Sequence, residues 1–463
     1  MADRSRYLTT PWPRGLSGTS RVLAAAAACA LAAAGLSACS GDSGGSSENT
    51  LVVAEWTNAA AVAQTKKINA AFEKAHPGVK VKLQTAPTAA NAWPTLQNSL
   101  LASKNVDVLA QFPPTPAAFP PEQTDIKVNG TAALIANNQF MDLSKQPFMK
   151  RFDLTAQKYA MGYQDGIYGV MTAEYVNNTG LWYKKDLLDK YGLKVPTTYD
   201  EFVSDLKLLK SKGLSPIYVA GKDGYQNIIW AGIINQLLMQ DKPASQAQSV
   251  YQQRAQDFWD GKANWDDPLY QDAARRYAEI MSYIEPNAAG VPAQTAPGVW
   301  ASNTDDYPFF VDGSYDGNTI AQANPKLDFG FFAVPGTDNA AWNRPALAPD
   351  LSWSVPVWAK HKKLALEYLD FFTEKTNYTA WVKATGSIST EPDVPTPSLS
   401  WTDWLTANAS KGYPNSTQPW IPTTGSSTYA GGPKLQDVQP FGNKSMTTAL
   451  SESAKAYSAS VKH

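Results

Sequence analysis

The chain has 463 residues, almost equal numbers of acidic and basic side chains, and a formal net charge of −1. This balance, together with the absence of a basic run or a Lys/Arg-rich helix, argues against a nucleic-acid-binding protein. The 15 Trp and 21 Tyr contrast with only 3 His. Because those His have no ligand spacing and no glycine-rich phosphate loop or nucleophile elbow occurs, neither a metal nor a cofactor is expected.

The N-terminus predicts an exported, lipid-anchored protein. Four arginines precede an apolar run of thirteen residues over 22–34, which suits a signal peptide and is shorter than the roughly 20 residues that cross a bilayer. Leu36-Ser-Ala-Cys39 and the Gly/Ser-rich stretch after it resemble the bacterial lipobox. That resemblance implies cleavage after Ala38, diacylglycerol on the Cys39 sulfur and acylation of the new N-terminus. The alternative is an ordinary secretory cleavage site with a chance cysteine.

Residues 1–38 are therefore interpreted as a lipoprotein signal peptide and residues 39–49 as a flexible tether, which places the protein on the outer face of the cell membrane. Removing the signal peptide also removes Cys29, so Cys39 is the only cysteine left and no internal disulfide can form. The remaining 425 residues, with a net charge of about −4, suffice for two lobes. No other segment approaches the length and apolarity of a transmembrane helix.

Strands and helices alternate from residue 51 onward. Residues 51–54 predict a buried strand, and the apolar periodicity that begins after Asn58, a good N-cap, predicts a helix ending at His76-Pro77-Gly78. Strict alternation over 79–83 predicts a second strand, residues 91–103 a second helix and residues 106–110 a third strand. The order β-α-β-α-β favours an α/β fold with a mostly parallel, doubly wound sheet.

Further elements follow the same rules. Thr198 and Glu201 form a capping box that predicts a helix ending at Gly213. The remaining patterns predict helices over 267–281 and 364–372, and strands over 217–220, 328–334 and 353–357. Stretches rich in Pro and Ser predict loops over 113–121, 391–400 and 413–427.

Eight stretches, in order along the chain, carry a family resemblance: residues 68–79, 107–109, 166–170, 181–188, 195–202, 311–316, 328–335 and 360–369. Together they are similar to the extracellular solute-binding protein family 1, the family of the maltose-binding protein and of many Gram-positive sugar-binding lipoproteins. The chain departs from the family at Lys184, where Asn is more frequent, and at Tyr315, where Trp is frequent. The Pro-rich stretch 391–432, which contains Trp401, Trp404 and Trp420, matches no family pattern.

The resemblance implies two α/β lobes that are joined by a hinge and close around a ligand. Lobe 1 is expected to comprise residues 50–172 and 336–376, and lobe 2 residues 173–335 and 377–463, with crossings near 172, 336 and 376. It also implies that a monomer binds a carbohydrate, a di- or oligosaccharide, and delivers it to the membrane permease of an ABC importer.

A sugar requires flat aromatic platforms and hydrogen-bonding groups around its edge. Strand ends predict Trp56, Asn58, Gln111 and Phe112, since ligands of doubly wound folds bind beyond the carboxyl ends of the strands. The resemblance adds Glu174, Tyr175, Trp230, Tyr315 and Asp316, and position at a strand start or in a loop adds Trp353 and Trp420. For each tryptophan the alternative is a role in the core. Trp182, Trp358 and Trp381 lie in apolar periodic stretches and are interpreted as core residues.

Other functions stay open on sequence alone. A secreted glycoside hydrolase needs two carboxylates across a sugar cleft, and Glu174, Asp305, Asp306 and Asp316 could serve. A binding protein for another solute would need a carboxylate-rich cleft for a polyamine, a tyrosine cluster for ferric iron, or an arginine or helix N-terminus for phosphate. A structural surface lipoprotein without a ligand is a further alternative.

Overall fold

The structure, a computed structural model, describes residues 49–88, 91–113, 130–414 and 432–460, which form a mixed α/β fold. The strands are β1 (Thr50–Trp56), β2 (Lys80–Ala86), β3 (Val108–Gln111), β4 (Gly162–Tyr163), β5 (Gly166–Ile167), β6 (Val170–Met171), β7 (Glu174–Val176), β8 (Gly180–Lys184), β9 (Ile217–Val219), β10 (Phe309–Val311), β11 (Phe329–Ala333), β12 (Ala346–Pro349), β13 (Ser352–Ser354) and β14 (Tyr413–Pro414). The α-helices are α1 (Ala59–Ala75), α2 (Ala92–Ser103), α3 (Gly130–Ala136), α4 (Leu154–Met161), α5 (Lys185–Lys190), α6 (Tyr199–Ser211), α7 (Asn227–Met239), α8 (Ala247–Trp259), α9 (Pro268–Met281), α10 (Ala296–Ser302), α11 (Gly317–Ala323), α12 (Lys362–Phe372), α13 (Lys375–Thr385), α14 (Asp403–Asn408) and α15 (Met446–Ser460).

Local sequence signals set where several of these helices begin. The Asn58 side chain accepts hydrogen bonds from the backbone N–H groups of Ala60 and Ala61, which caps α1. Thr198 and Glu201 form the predicted capping box at the start of α6. Both caps satisfy backbone donors that the first turn of a helix leaves without partners.

A five-stranded sheet, here called the first sheet, has the order β2-β1-β3-β13-β6. Strand β1 pairs in parallel with β2 and β3, so the predicted doubly wound α/β arrangement is confirmed for this region. Strand β13 is antiparallel to both β3 and β6. The helices α1, α12 and α13 contribute Phe72, Tyr368 and Trp381 to the hydrophobic core of this sheet.

A four-stranded sheet, here called the second sheet, has the order β11-β8-β10-β9. Strands β9 and β10 are parallel, and β8 is antiparallel to both β10 and β11. The helices α6, α7 and α9 pack against it in a separate core that contains Phe202, Ile233 and Tyr277. Each sheet therefore has its own core, as two lobes require.

The chain passes between the sheets at the carboxyl ends of their parallel strands. Strand β6 lies in the first sheet and β8 in the second, so residues 172–179 make the first crossing. Residues 334–351 return to the first sheet from β11. On this route β7 pairs antiparallel with β12, which also pairs with β14. Residues from Thr50 onward form one compact unit.

A third crossing follows α13. That helix packs in the core of the first sheet, whereas α14 contacts β11 of the second, so residues 386–402 connect the two. The exact lobe limits stay a prediction. In one detail the structure differs from it: residues 377–385, assigned to lobe 2, pack with the first sheet, because Tyr378 and Trp381 are buried there against Phe152 and Trp353.

The predicted signal peptide, Cys39 and nearly all of the tether lie outside the described residues, which begin at 49. Within the described ranges, no helix combines the length and apolarity that crossing a membrane requires.

Candidate functional site

An aromatic pair lies at the carboxyl ends of β1 and β3. Trp56 and Phe112 are stacked, with ring centroids 4.0 Å apart and an interplanar angle of 16°, and we call them the ring pair. Trp93 of α2 supports Trp56 edge-on at 5.8 Å. Trp56 is 7% exposed, whereas Phe112 is 45% exposed. The ring pair thus presents a large apolar surface at the sheet edge where a ligand of such a fold is bound.

Two buried polar groups lie beside the ring pair. The Gln111 carboxamide oxygen accepts hydrogen bonds from Gln97 at 3.0 Å and Thr131 at 3.1 Å. Its amide nitrogen and the hydroxyl of Ser352, the residue opposite it on β13, have no partner within the described residues. A buried polar group without a partner costs about 1–3 kcal/mol. Both residues are completely buried, so a ligand could reach these two groups only if the edge of the first sheet opened.

Asn58 was predicted as a ligand-binding residue, and the structure gives its side-chain oxygen another role. That oxygen lies 3.1 Å from the Ala60 nitrogen and 3.0 Å from the Ala61 nitrogen. It is committed to capping α1, so it is not a free acceptor for a ligand.

A second group of polar side chains lies where the chain crosses between the sheets. It consists of Tyr175, Tyr225, Asp312, Tyr315, Asp316 and Asp350, and we call it the acid–tyrosine group. The Tyr315 ring meets Tyr175 edge-on at 6.1 Å. Burial raises the pKa of the Tyr315 hydroxyl, and the nearby Asp312 carboxyl and Tyr225 hydroxyl raise it further. Burial raises the pKa of the Tyr175 hydroxyl, and the nearby Asp350 raises it further.

The turn after β10 fixes Tyr315. The Gly313 carbonyl accepts a hydrogen bond from the Trp182 indole at 3.1 Å, and the Ser314 hydroxyl accepts one from the Val176 N–H at 3.0 Å. A Cβ atom at residue 313 would lie 2.2 Å from the Tyr315 ring, so only glycine permits this approach of ring and backbone. Strand β7 and the second sheet therefore position Tyr315 together.

Burial controls the protonation of the acid–tyrosine group. It raises the pKa of Asp350 to about 7, and it raises the pKa of Asp312 and of Asp316 above their ordinary value. The nearby Asp316 carboxyl raises the pKa of Asp312 further, because like charges in one site disfavour ionisation. Burial also raises the pKa of the three tyrosines, so they remain hydroxyl donors beside carboxyl acceptors.

Glu174 and Tyr175, which we predicted together, point to opposite faces of β7, since side chains alternate along a strand. Tyr175 contacts Tyr315, whereas Glu174 lies on the side of Tyr159. Burial raises the pKa of the Tyr159 hydroxyl, and Glu174 raises it further. Burial raises the pKa of Glu174 itself to about 7. The structure brings Tyr175, Tyr315 and Asp316 together, and Glu174 is not part of that group.

Two tryptophans that were predicted to stack on a ligand are core residues in the structure, which corrects their predicted role. Trp230 is 1% exposed and lies edge-on to Tyr277 at 5.9 Å, because α7 is enclosed on nearly every side. Trp353 is completely buried, and its indole donates to the Thr172 hydroxyl at 3.1 Å. Neither has a ring face that a ligand could reach.

Four further tryptophans were assigned from the sequence, three to the core and one to the ligand site. Trp182 and Trp381 are completely buried, so their predicted core role is confirmed, and Trp358 is half-buried. Trp420 lies outside the described residues.

Sequence reasoning missed three members of the acid–tyrosine group. Tyr225 and Asp312 follow β9 and β10 closely, and the strand-end rule that found Trp56 applies to both. Asp312 was missed because β10 was not predicted as a strand. Asp350 precedes a strand, and no local signal distinguishes it. Within the described residues, no three His, Cys, Asp or Glu side chains are arranged to hold a metal ion.

The protein has two lobes with separate hydrophobic cores, three crossings that connect them, and polar groups at the edges of both sheets. These features define a two-lobed solute-binding protein. The sequence model of the family described as bacterial extracellular solute-binding protein matches residues 56–379. The chain belongs to this family.

Similar proteins have names that refer to sugars. The multiple sugar-binding protein of Streptococcus mutans is 25% identical over 364 residues, which cover 73% of this chain and 75% of that protein. The solute-binding protein RafE in complex with raffinose matches with a TM-score of 0.64 and 21% identity over 88% of this chain and 99% of RafE. A Bacillus licheniformis sugar transporter in complex with stachyose matches with a TM-score of 0.60 and 16% identity over 89% of this chain and 98% of that chain. At these identities the two structures show the shared fold.

Proposed function

We propose that this protein captures a di- or oligosaccharide between its two lobes and delivers it to the permease of an ABC importer. The observation that supports this most is the ring pair at the edge of the first sheet, where the Phe112 ring is exposed. Beside it lie two buried polar groups that have no partner among the described residues. An exposed ring suits the C–H face of a sugar, and adjacent donors suit its hydroxyl groups. The sugar-related names of the relatives point to the same class of ligand.

Binding is proposed to close the lobes. The acid–tyrosine group comes from β7, from the turn after β10 and from the residue before β13, all of which adjoin the crossings. A ligand that contacts this group and the ring pair at once would stabilise one relative position of the lobes. The lobe limits of 50–172 with 336–376, and of 173–335 with 377–463, belong to this proposal, modified by the packing of residues 377–385 with the first sheet.

The direct test is a thermal-shift and calorimetric screen of the mature protein against raffinose, stachyose, melibiose, maltose and cello-oligosaccharides. At 100 times the dissociation constant a ligand adds about 2.7 kcal/mol to the free energy of unfolding, so a binding sugar should raise the melting temperature clearly. Recovering the bound sugar intact would separate binding from glycoside hydrolysis. If no sugar binds, the carbohydrate proposal is wrong.

A polyamine is a second candidate ligand, favoured by the carboxyls of the acid–tyrosine group. Spermidine and putrescine therefore belong in the same screen. Binding of either, with no response to any sugar, would favour this alternative.

We also propose that lipid on Cys39 anchors the protein to the membrane. What supports this is the order of small residues before the cysteine and its place after an apolar segment. A thiol-less Cys39→Ser variant should fold but fail to sediment with membranes, because stable anchoring requires attached acyl chains. Sedimentation of this variant at the level of the unaltered protein would contradict the anchor.

A further inference from the structure

Lysines from four separate segments lie around the amino ends of the parallel strands in the first sheet. Strand β1 begins at Thr50, which is paired in register with Lys80 of β2, and Val52 is paired with Lys82. Neighbouring strands lie about 4.8 Å apart, so both lysines lie directly beside the start of β1. Lys74 is in the last turn of α1, the helix that leads to β2.

Hydrogen bonds of the buried Asp107 bring distant lysines to the same end of the sheet. The Asp107 carboxylate accepts from the Val52 N–H at 2.9 Å and from the His361 N–H at 3.0 Å. The His361 ring lies 3.1 Å from the same carboxylate. Lys104 precedes Asp107 by three residues. The residues around His361 add three more lysines: Lys360, Lys362 and Lys363.

These seven residues form one basic region, and we call them the lysine surface. All seven are exposed. Within the described residues two of them form ion pairs, Lys80 with Glu73 at 3.3 Å and Lys363 with Glu367 at 3.7 Å. The mature chain as a whole carries a small net negative charge. The lysine surface is therefore a local excess of positive charge, which attracts an anionic partner.

Two of the lysines are placed against the preference of their own helix. Lys362 and Lys363 lie in the first turn of α12, where no acidic side chain is present. A helix N-terminus carries partial positive charge, so cations there reduce helix stability. The exposed Val357 and the half-buried Trp358 precede them in the same segment. Lysines beside a tryptophan and an exposed aliphatic side chain are typical of surfaces that lie among lipid headgroups.

We propose that the lysine surface rests on anionic lipid headgroups of the membrane to which the tether leads. The inference extends the proposed anchor at Cys39. The eleven residues 39–49 span at most about 40 Å, which keeps Thr50 and the lysines beside it near the membrane. A lipid chain and a basic surface are two signals that together make attachment stable.

The position of the lysine surface also bears on sugar capture. Strand β1 runs from this surface to Trp56 of the ring pair at its other end. Contact with the membrane through the lysines therefore leaves the ring pair facing away from the lipid. Because salt screens such an attraction, the contact is reversible, as delivery to a permease requires.

The test uses the mature chain with Cys39→Ser, which carries no lipid. It is sedimented with vesicles of phosphatidylcholine alone or of equal parts phosphatidylcholine and phosphatidylglycerol, at low and at high salt. At low salt we expect at least about tenfold stronger binding to the vesicles that contain phosphatidylglycerol. High salt should abolish this difference.

Two triple variants of the same protein identify the surface that binds. The first removes three of its charges and should weaken binding to phosphatidylglycerol vesicles at least about tenfold; it combines Lys82→Gln, Lys360→Gln and Lys362→Gln. The matched control makes the same change at exposed lysines outside the lysine surface and should bind like the unaltered protein; it combines Lys194→Gln, Lys212→Gln and Lys326→Gln. Melting temperatures verify that both are folded, and sugar affinity should be the same in both.

Equal binding to the two kinds of vesicle, or equal losses in the two triple variants, overturns the proposal. Binding to soluble polyphosphate without binding to vesicles also overturns it, because the partner is then a soluble polyanion. The anchor at Cys39 is judged separately, on cell membranes washed at physiological ionic strength, where screening leaves the lysine surface too weak to hold the protein alone. Failure of the anchor and failure of the lysine surface are therefore distinguishable.

Discussion

The ring pair and the two corrected tryptophans make an instructive comparison. Trp56 and Phe112 lie at strand ends, where the stacked pair includes an exposed ring. Trp230 and Trp353 occupy a helix and a strand whose surroundings enclose them completely or nearly so. All four are large aromatic residues that the sequence offered as candidate ligand contacts. Their different positions show that an aromatic residue becomes a binding surface only where packing leaves one face uncovered.

The same contrast occurs within β1. Trp56 contributes to the ring pair, whereas its neighbour Glu55 is completely buried in the polypeptide interior. Alternation along a strand places adjacent side chains on opposite faces. One strand therefore supplies both a candidate ligand contact and a buried carboxyl that bears on stability.

The largest effect is expected from Trp353→Ala. Removing a buried tryptophan should lower the free energy of unfolding by about 3–5 kcal/mol, and it also removes the donor to the Thr172 hydroxyl. The half-buried Trp358→Ala is the matched control and should lose less. Chemical denaturation followed by circular dichroism measures both, and equal losses would show that Trp353 is not a core residue.

Glu55→Gln should stabilise the protein, and this stabilisation should grow as the pH rises. Burial raises the pKa of Glu55 from 4.5 to about 8, and both of its carboxyl oxygens lack a hydrogen-bond partner within the described residues. The folded state thus retains a proton that the unfolded state releases, so the free energy of unfolding falls as the pH rises through this window.

The glutamine side chain does not titrate, so the variant avoids this loss. We expect its free energy of unfolding to be higher than that of the unaltered protein by about 1–3 kcal/mol at neutral pH. Melting curves across the interval from pH 4.5 to about 8 measure the difference. Parallel curves for the variant and the unaltered protein would show that Glu55 is not protonated in the fold. Sugar affinity should be unaffected at a pH at which both proteins are folded, because Glu55 lies on the core side of β1.

Phe112→Ala should leave stability almost unchanged and weaken sugar binding about tenfold, or about 1.4 kcal/mol. A stacked aromatic contact contributes about 0.5–1.5 kcal/mol beyond the area it buries, and the exposed ring contributes little to the core. Leu154→Ala is the matched control, because it removes another exposed apolar side chain. Leu154 is 47% exposed and lies in α4. Unchanged affinity in the Phe112 variant, measured by calorimetry, would remove the ring pair from the site.

The sequence determined the local features of this protein, because their causes lie within a few residues. The Asn58 and Thr198 caps, the alternation of strand and helix up to β3, and the strand end at Trp56 all follow from short patterns. The ordered family stretches added the two-lobed architecture, and the family match over residues 56–379 confirms it.

Only the tertiary structure decided which residues form the candidate site. Tyr175, Tyr225, Asp312 and Asp350 are far apart in the chain and meet because three crossings bring the carboxyl ends of two sheets to the same region. Burial of Trp230 and Trp353 likewise depends on helices and strands distant in sequence. Residue type and local period specify what a side chain can do, whereas non-local packing determines whether it faces a core or a ligand.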